Sequence, residues 1–171
     1  MRIVALIPFW SNYKPLKESL TCRPLVEVSG KSLINRTIEI INRIKLIDKT
    51  VIFTPNSEIF GHIDDSMNCE IVQRDRSLNS DKTSIEDIIN EFLKISDADI
   101  VVLIHPKSPF IRSKTIEECV EKVLIDGFDS AFVANSIKKQ AWYKGKPLNY
   151  LIDKSAPMLS ELEPVLIESS S

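Results

Sequence analysis

The sequence predicts an α/β fold, a doubly wound and mostly parallel sheet with helices on both faces. Two observations predict it: short β-branched segments alternate with segments of helical apolar spacing, and residues 100–104 form an unbroken apolar run. Such a run is typical of a strand buried on both faces at the centre of a parallel sheet. Because ligands bind outside the carboxyl ends of these strands, we expect a site at His105, Lys107 and Ser108.

Composition limits the class of protein. With 171 residues, 43% of them apolar and 27% charged, the chain is predicted to form a single domain, residues 1–171. A net charge of −2 without a long basic block argues against a nucleic-acid partner, and no apolar run is long enough to cross a membrane. Cys22, Cys69 and Cys119 are odd in number and show no CxxC spacing, so we expect reduced thiols in a cytoplasmic protein.

The first half of the chain reads as strand, loop, helix and strand. In order, the predicted elements are a strand at 2–7 ending at Pro8, a polar loop at 9–30, a helix capped by Ser32, a strand at 49–54, a short helix at 56–63 and a short strand at 70–72. The helix is predicted because apolar residues recur at helical spacing after a serine that can accept from the first free amides. A loop as long as 9–30 inside a compact domain is usually functional.

The second half continues the alternation and then changes character. Its predicted elements are a helix at 81–95 capped by Asp81 or Thr83, the strand at 100–104, a helix at 115–125 ended by Gly127, a strand at 130–133 and a final strand at 163–168. From Ser136 onward, lysines and aromatic residues replace the regular alternation, which indicates a C-terminal β extension. Since the chain stops just after its last strand, a truncation at the C-terminus is left open.

Five motifs stand along the chain in a fixed order. They are IPFWSNYK at 7–14, RPLVEVSGKSLI at 23–34, RDRSLNSDKTSIEDII at 74–89, DIVVLIHPKSPFIR at 99–112 and DSAF at 129–132. This order resembles the nucleotide-sugar cytidylyltransferases, specifically the acylneuraminate (CMP-sialic acid synthetase) group. The resemblance implies a nucleotide-diphospho-sugar transferase-like fold and transfer of CMP from CTP to an acidic sugar, a 2-keto-3-deoxy acid such as sialic acid. It implies release of pyrophosphate, Mg²⁺ as cofactor, and CTP and the sugar as partners, and it leaves a homodimer open.

The resemblance assigns roles in the first loop. Lys14 matches the lysine of the family's xPARxxSK pattern, and the family's second basic position falls on Arg23 or on Lys17, depending on the direction of alignment. Lys14 and Arg23 are therefore the implied catalytic residues, because cations must offset the charge that develops during attack on the α-phosphorus. The other nucleotide-binding positions implied in this loop are Pro8, Ser11, Asn12 and Lys17.

The middle motif implies a second part of the nucleotide site. The spacing of Arg74 and Asp81 matches the family's RPxxLxxD, and Thr83 with Ser84 matches the hydroxyl pair that opens the next helix. A helix N-terminus with free amides and hydroxyls suits the polar groups of a nucleotide. A capping box formed by Thr83 and Glu86 is the compatible structural interpretation.

The strand exit implies the sugar site. Where the family has QPTSP this chain has HPKSP, so His105 replaces a glutamine expected to touch the sugar, and Lys107 adds a cation that can meet a carboxylate; Ser108 completes the set. A structural role for a lone histidine stays open.

Departures from the family pattern leave alternatives open. Trp10 stands where the family has an arginine, and it either covers the sheet edge or belongs to a changed ligand site. No acidic pair falls at a strand's carboxyl end, so the metal ligands are unidentified and we expect binding with weak or absent turnover. A catalytically degenerate homologue is one alternative. A nucleotide-sugar glycosyltransferase is another, although its metal-binding DxD would have to be Asp97 and Asp99, which precede their strand.

Overall fold

A computed structural model describes residues 1–10, 23–80, 82–108, 110–152 and 157–168, without the side chains of residues 23, 57 and 58. The chain divides into two compact units, the first containing Met1–Asp129 and the second Ser130–Ser169. The expectation of a single domain stays a prediction. Within the described ranges, no helix has the length and apolar character that crossing a membrane requires.

The first unit is an α/β sheet. Its strands are β1 (Ile3–Pro8), β2 (Glu27–Val28), β3 (Lys31–Ser32), β4 (Lys49–Thr54), β5 (Glu70–Gln73) and β6 (Ile100–Leu103). Its helices are α1 (Leu33–Ile41), α2 (Ile85–Leu93) and α3 (Ser113–Leu124), with 3-10 turns at Arg23–Leu25, Ser57–His62 and Arg76–Leu78. β1, β4, β5 and β6 are parallel and lie in the order β5-β4-β1-β6. After β1, the chain adds β4 and then β5 on one side of it, and afterwards adds β6 on the other side. The strand order therefore reverses between β1 and β6, which is the topological switch point of the sheet.

Helices cover both faces of this sheet, as predicted. On one face, Ala5 and Ile7 of β1 are buried in one cluster with Ile34 and Ile38 of α1 and Ile116 of α3. On the other face, residues of β1 and β4 are buried with Ile88 and Phe92 of α2. The alternation follows from the pleat, because successive side chains of a strand point to opposite faces.

The prediction of a central strand at 100–104 is wrong. β6 pairs with β1 alone among the described strands, and its four residues are half-buried, whereas all six residues of β1 are buried. The central strands are β1 and β4. An apolar run shows that a segment is apolar, but it does not show how many strands pair with that segment. The sequence alone therefore could not tell a central strand from one at the end of the strand order.

Part of the predicted loop at 9–30 has regular structure. After the 3-10 turn at Arg23–Leu25, β2 and β3 pair antiparallel through a two-residue turn, in which Ser29 has φ +52° and Gly30 has φ +73°. Two successive residues with positive φ are the requirement of a type I′ hairpin turn, whose twist matches that of the paired strands. α1 follows directly and is capped as predicted, since the Ser32 hydroxyl accepts from the Asn35 amide at 3.3 Å.

The second unit is built from short antiparallel strands. They are β7 (Ala134–Ile137), β8 (Trp142–Tyr143), β9 (Lys146–Pro147) and β10 (Val165–Glu168), with β7 paired to β10 and β8 paired to β9. The predicted final strand at 163–168 and the C-terminal β extension are confirmed. The predicted strand at 130–133 is wrong, because the paired segment begins at Ala134, where the partner residues of β10 fix the register.

Candidate active site

The candidate site lies at the carboxyl edge of the parallel sheet. β1 ends there at Pro8, β4 at Thr54 and β6 before His105, while α2 begins on this edge after β5. The backbone ladder continues past the strands, because the Phe9 amide donates to the Phe53 carbonyl at 2.9 Å and the Arg74 amide donates to the Thr54 carbonyl at 2.8 Å. The segments after β1 and β5, which carry two of the motifs, are thus hydrogen-bonded to β4 where they leave the sheet.

Arg74 forms hydrogen bonds to two of these segments. Its side chain is buried, with a residue exposure of 4%, and its guanidinium donates to the Phe9 carbonyl at 3.0 Å and to the Leu78 carbonyl at 2.7 Å. Phe9 and Leu78 belong to the connections after β1 and β5. A buried cation needs such partners, because burying an unpaired charge is costly. The sequence predicts Arg74 at the nucleotide site, and its guanidinium lies beside Phe9, at the start of the connection after β1.

Trp10 packs on this arginine. The centre of the guanidinium lies 4.7 Å from the centroid of the indole ring, within the range of a cation–π contact. Trp10 also packs against the cluster that contains α2, yet it remains partly exposed. The interpretation of Trp10 as a cover for the sheet edge thus has structural support, and the partly exposed ring leaves a ligand contact open.

The N-terminus of α2 is capped by Ser84. The Ser84 hydroxyl accepts from the Asp87 amide at 3.1 Å, and the Asp87 carboxylate accepts from the Ser84 amide at 2.9 Å. The predicted helix at 81–95 is therefore too long, and the predicted caps Asp81 or Thr83, with a box from Thr83 to Glu86, are wrong. The helix begins one residue later than a Thr83 cap allows, because Ser84 and Asp87 satisfy each other's backbone amides in the capping box.

His105 follows β6 between two buried residues, Ile104 and Pro106. Its Nδ1 atom is buried and has no hydrogen-bond partner among the residues that the structure describes. Burial, reinforced by the positive charge of Lys107, lowers the pKa of His105 from 6.5 to about 4. At neutral pH the imidazole is uncharged, so it can donate or accept one hydrogen bond but cannot act as a cation. Lys107 itself is exposed, and Ser108 is half-buried.

Several predicted site residues lie outside the described residues. They are Ser11, Asn12, Lys14, Lys17 and Asp81. Arg23 opens the 3-10 turn that packs near α1, and its side chain is also outside the description. The other predicted residues lie in segments at the carboxyl edge: Pro8, Arg74, Thr83, Ser84, His105, Lys107 and Ser108.

The described residues do not fit a protein-held metal centre. No group of three or more histidine, cysteine, aspartate or glutamate side chains is arranged there to hold a metal ion. Asp75, which directly follows Arg74, is engaged with the Ser77 amide at 2.7 Å, and that hydrogen bond lowers its pKa.

The acidic residues before β6 lie at the opposite edge. Asp99 accepts from the Arg2 amide at 2.6 Å, and Asp97 pairs with the Arg2 guanidinium. A shallow cavity of about 560 Å³ opens at this amino edge. Its carboxylates accept hydrogen bonds from backbone amides, since Asp48 accepts from the Ile3 amide at 2.7 Å and Asp99 from the Arg2 amide. Asp97 and Asp99 are thus not placed as the metal-binding DxD that a glycosyltransferase would need.

Sequence reasoning missed two contacts. The stack of Trp10 on Arg74 joins residues far apart in sequence, and no local signal indicates it. The Ser84–Asp87 box did have a signal, because a serine followed three residues later by an acidic residue is as good a capping pattern as the neighbouring threonine and glutamate.

The fold is a parallel α/β sheet whose candidate site lies at the carboxyl edge, and several solved structures share this fold. The solved structure of CMP:2-keto-3-deoxy-manno-octonic acid synthetase complexed with CTP superimposes with a TM-score of 0.62 at 18% identity, over 80% of this chain and 52% of that one. Rv0371C from Mycobacterium tuberculosis in complex with manganese shares the fold at a TM-score of 0.52 and 10% identity, over 71% of this chain and 59% of its own. At these identities the likeness shows the fold alone.

The sequence comparison is more specific. The family model for cytidylyltransferases matches residues 19–160, so the chain belongs to the cytidylyltransferase family. It is 32% identical to the N-acylneuraminate cytidylyltransferase of Escherichia coli O18:K1:H7 over 70% of this chain and 28% of that protein. It is 30% identical to the 3-deoxy-manno-octulosonate cytidylyltransferase of Chlamydia felis over 60% of this chain and 39% of that protein. The chain thus spans well under half the length of these relatives.

Proposed function

We propose that this protein binds CTP at the carboxyl edge of its sheet and transfers CMP to an acidic 2-keto-3-deoxy sugar. The observation that carries the proposal is that Arg74, Ser84 and His105 lie at one sheet edge beside the switch point, although they come from separate parts of the chain. Arg74 and Ser84 match family motifs, and His105 stands at a motif position where the family has glutamine. Both sequence relatives named above are cytidylyltransferases of acidic sugars, which supports this choice of substrate class.

The reaction would be an in-line displacement. The anomeric hydroxyl oxygen of the sugar forms a bond to the α-phosphorus of CTP, and its proton passes to water. The bond between the α-phosphorus and the bridging oxygen breaks, and pyrophosphate leaves with that oxygen. Lys14, with Arg23 or Lys17, would offset the charge on the phosphate oxygens. The neutral imidazole of His105 would hydrogen-bond a sugar hydroxyl, and exposed Lys107 would pair with the sugar carboxylate.

Three further parts of the proposal rest on the resemblance and on composition. Magnesium would enter with the triphosphate and be held mainly by phosphate oxygens, a common arrangement for this ion. The protein would work in the cytoplasm, in keeping with its free cysteines Cys69 and Cys119. A homodimer is compatible with the proposal and is not required by it.

Pyrophosphate release tests the proposal. The protein is incubated with CTP, magnesium and either N-acylneuraminate or 3-deoxy-manno-octulosonate, and both pyrophosphate and the CMP-sugar are measured. Lys14→Ala should lose release, whereas Lys45→Ala should retain it, because exposed Lys45 lies between α1 and β4 at the opposite edge. Release that needs no sugar, or that both variants lose equally, would contradict the proposed reaction.

A second candidate is binding without turnover. It is favoured by two observations, the tryptophan at the position of the family's arginine and the lack of a metal-holding group among the described residues. The same assay distinguishes the two candidates, because a protein of this kind would bind CTP saturably in a calorimeter and release no pyrophosphate with either sugar.

A further inference from the structure

The Trp10 indole packs on a side chain that lies far from it in the sequence. Its ring lies 4.7 Å from the Arg74 guanidinium, and that guanidinium is itself fixed by hydrogen bonds to the Phe9 and Leu78 carbonyls. The arginine is buried, so its orientation is set by the fold and not by solvent. A ring resting on such a plane has little rotational freedom left to lose when a ligand binds.

Trp10 is nevertheless partly exposed, whereas Phe9 directly before it is buried, with only 4% of its surface exposed. It stands at the end of β1 beside the switch point, where a parallel sheet of this kind binds its ligand. Unlike the arginine found in the family, an indole has no positive charge and cannot clamp a phosphate. What it offers is a flat aromatic face, and such faces stack on nucleobases.

We propose that Trp10, seated on Arg74, is a nucleotide contact that stacks on the base of the bound nucleotide. The inference rests on the proposed function, because it requires a nucleotide at this edge. It departs from the family pattern in one respect: position 10 would contribute to binding through the base and not through the triphosphate. The triphosphate would then depend on the basic residues of the loop alone.

The alternative is that Trp10 acts only as a brace for the chain after β1. The two roles predict that removing the ring weakens the binding of different ligands. A base-stacking residue contributes to binding of CTP and not to binding of inorganic tripolyphosphate, which has the same phosphates and no base. A brace that positions the phosphate-binding loop contributes to both ligands.

The test compares Trp10→Leu with Trp10→Phe in calorimetric titrations with CTP and with tripolyphosphate, both in magnesium. We expect Trp10→Leu to weaken CTP binding about tenfold or more while tripolyphosphate binding changes by less than about twofold. Trp10→Phe keeps an aromatic face over Arg74 and should stay within about threefold of the parent for CTP. An equal loss for both ligands in Trp10→Leu, or no loss for CTP, would overturn the proposal.

Fluorescence gives a readout that needs no change at position 10. The chain has two tryptophans, Trp10 and Trp142, and Trp142 is exposed in the second unit, so Trp142→Phe leaves Trp10 as the single reporter. CTP should quench or shift its emission saturably, and tripolyphosphate should not. If CTP binds in the calorimeter but leaves the emission unchanged, this inference fails and the proposed function survives. If the parent binds no CTP at all, both fail.

Discussion

His105→Gln should alter the pH dependence of stability in a defined direction. The folded protein keeps His105 neutral down to a pKa of about 4, whereas an unfolded chain protonates its histidines near 6.5. Between these values the unfolded state binds a proton that the folded state does not bind. The free energy of unfolding therefore falls as the pH is lowered from about 6.5 to about 4, and stops falling from this cause below about 4.

The size of the effect follows from the same two values. A pKa lowered from 6.5 to about 4 corresponds to at most about 3 kcal/mol between the two ends of this pH range. The physical cause is the burial of the imidazole, with Lys107 adding a repulsive charge. Glutamine, the residue of the family's motif, has no proton to gain, so the variant should lack this loss.

Urea unfolding at several pH values between about 7 and about 4 measures the difference. The matched control is His62→Gln, which removes the other histidine of the chain from an exposed turn and keeps His105. The parent and the control should lose stability together as the pH falls, and His105→Gln should lose up to about 3 kcal/mol less. Parallel pH profiles for the parent and His105→Gln would show that the imidazole is not held neutral by burial.

Three further predictions concern the same edge. Lys14→Ala should weaken CTP binding by about 1.5–3 kcal/mol, the range of a charged hydrogen bond, and equal calorimetric affinity in variant and parent would sink the assignment. Trp10→Arg should lower the free energy of unfolding by about 1–3 kcal/mol, because it brings a second positive charge to Arg74; a gain in stability in urea unfolding would contradict the stack. Ser84→Ala should cost about 0.5–2 kcal/mol in thermal or urea unfolding, while Thr83→Ala should cost clearly less; the reverse order would move the cap back to Thr83.

The parts of the fold that could be predicted are those whose signal is local. The strand at 49–54 and the cap at Ser32 follow from β-branched runs and from a hydroxyl placed before apolar residues at helical spacing, and both are confirmed. The hairpin at Glu27–Ser32 also had a local signal, since Ser29 and Gly30 are residues that suit a two-residue turn, but the surrounding polar sequence favoured a loop.

What could not be predicted depends on partners distant in the chain. The edge position of β6 is set by which strands pair with it, and a run of apolar residues does not encode that number. The choice of Ser84 over Thr83 as cap is visible only in the backbone, where Ser84 and Asp87 form a reciprocal box, since both hydroxyl residues carry an acidic residue three positions later. Arg74 was predicted at the nucleotide site from its motif. Its hydrogen bond to the Phe9 carbonyl and its stack with Trp10 could not be predicted, because they depend on β1 and β5 lying in one sheet with their carboxyl ends together.

The most direct test of the account is a calorimetric titration of the protein with CTP, UTP and ATP in magnesium. The account predicts saturable binding of CTP at one site per chain, with ATP clearly weaker, because the carboxyl edge is proposed to take a cytidine nucleotide. Absence of binding heat with CTP, or equal affinity for ATP, would contradict the claim that this edge is a CTP site.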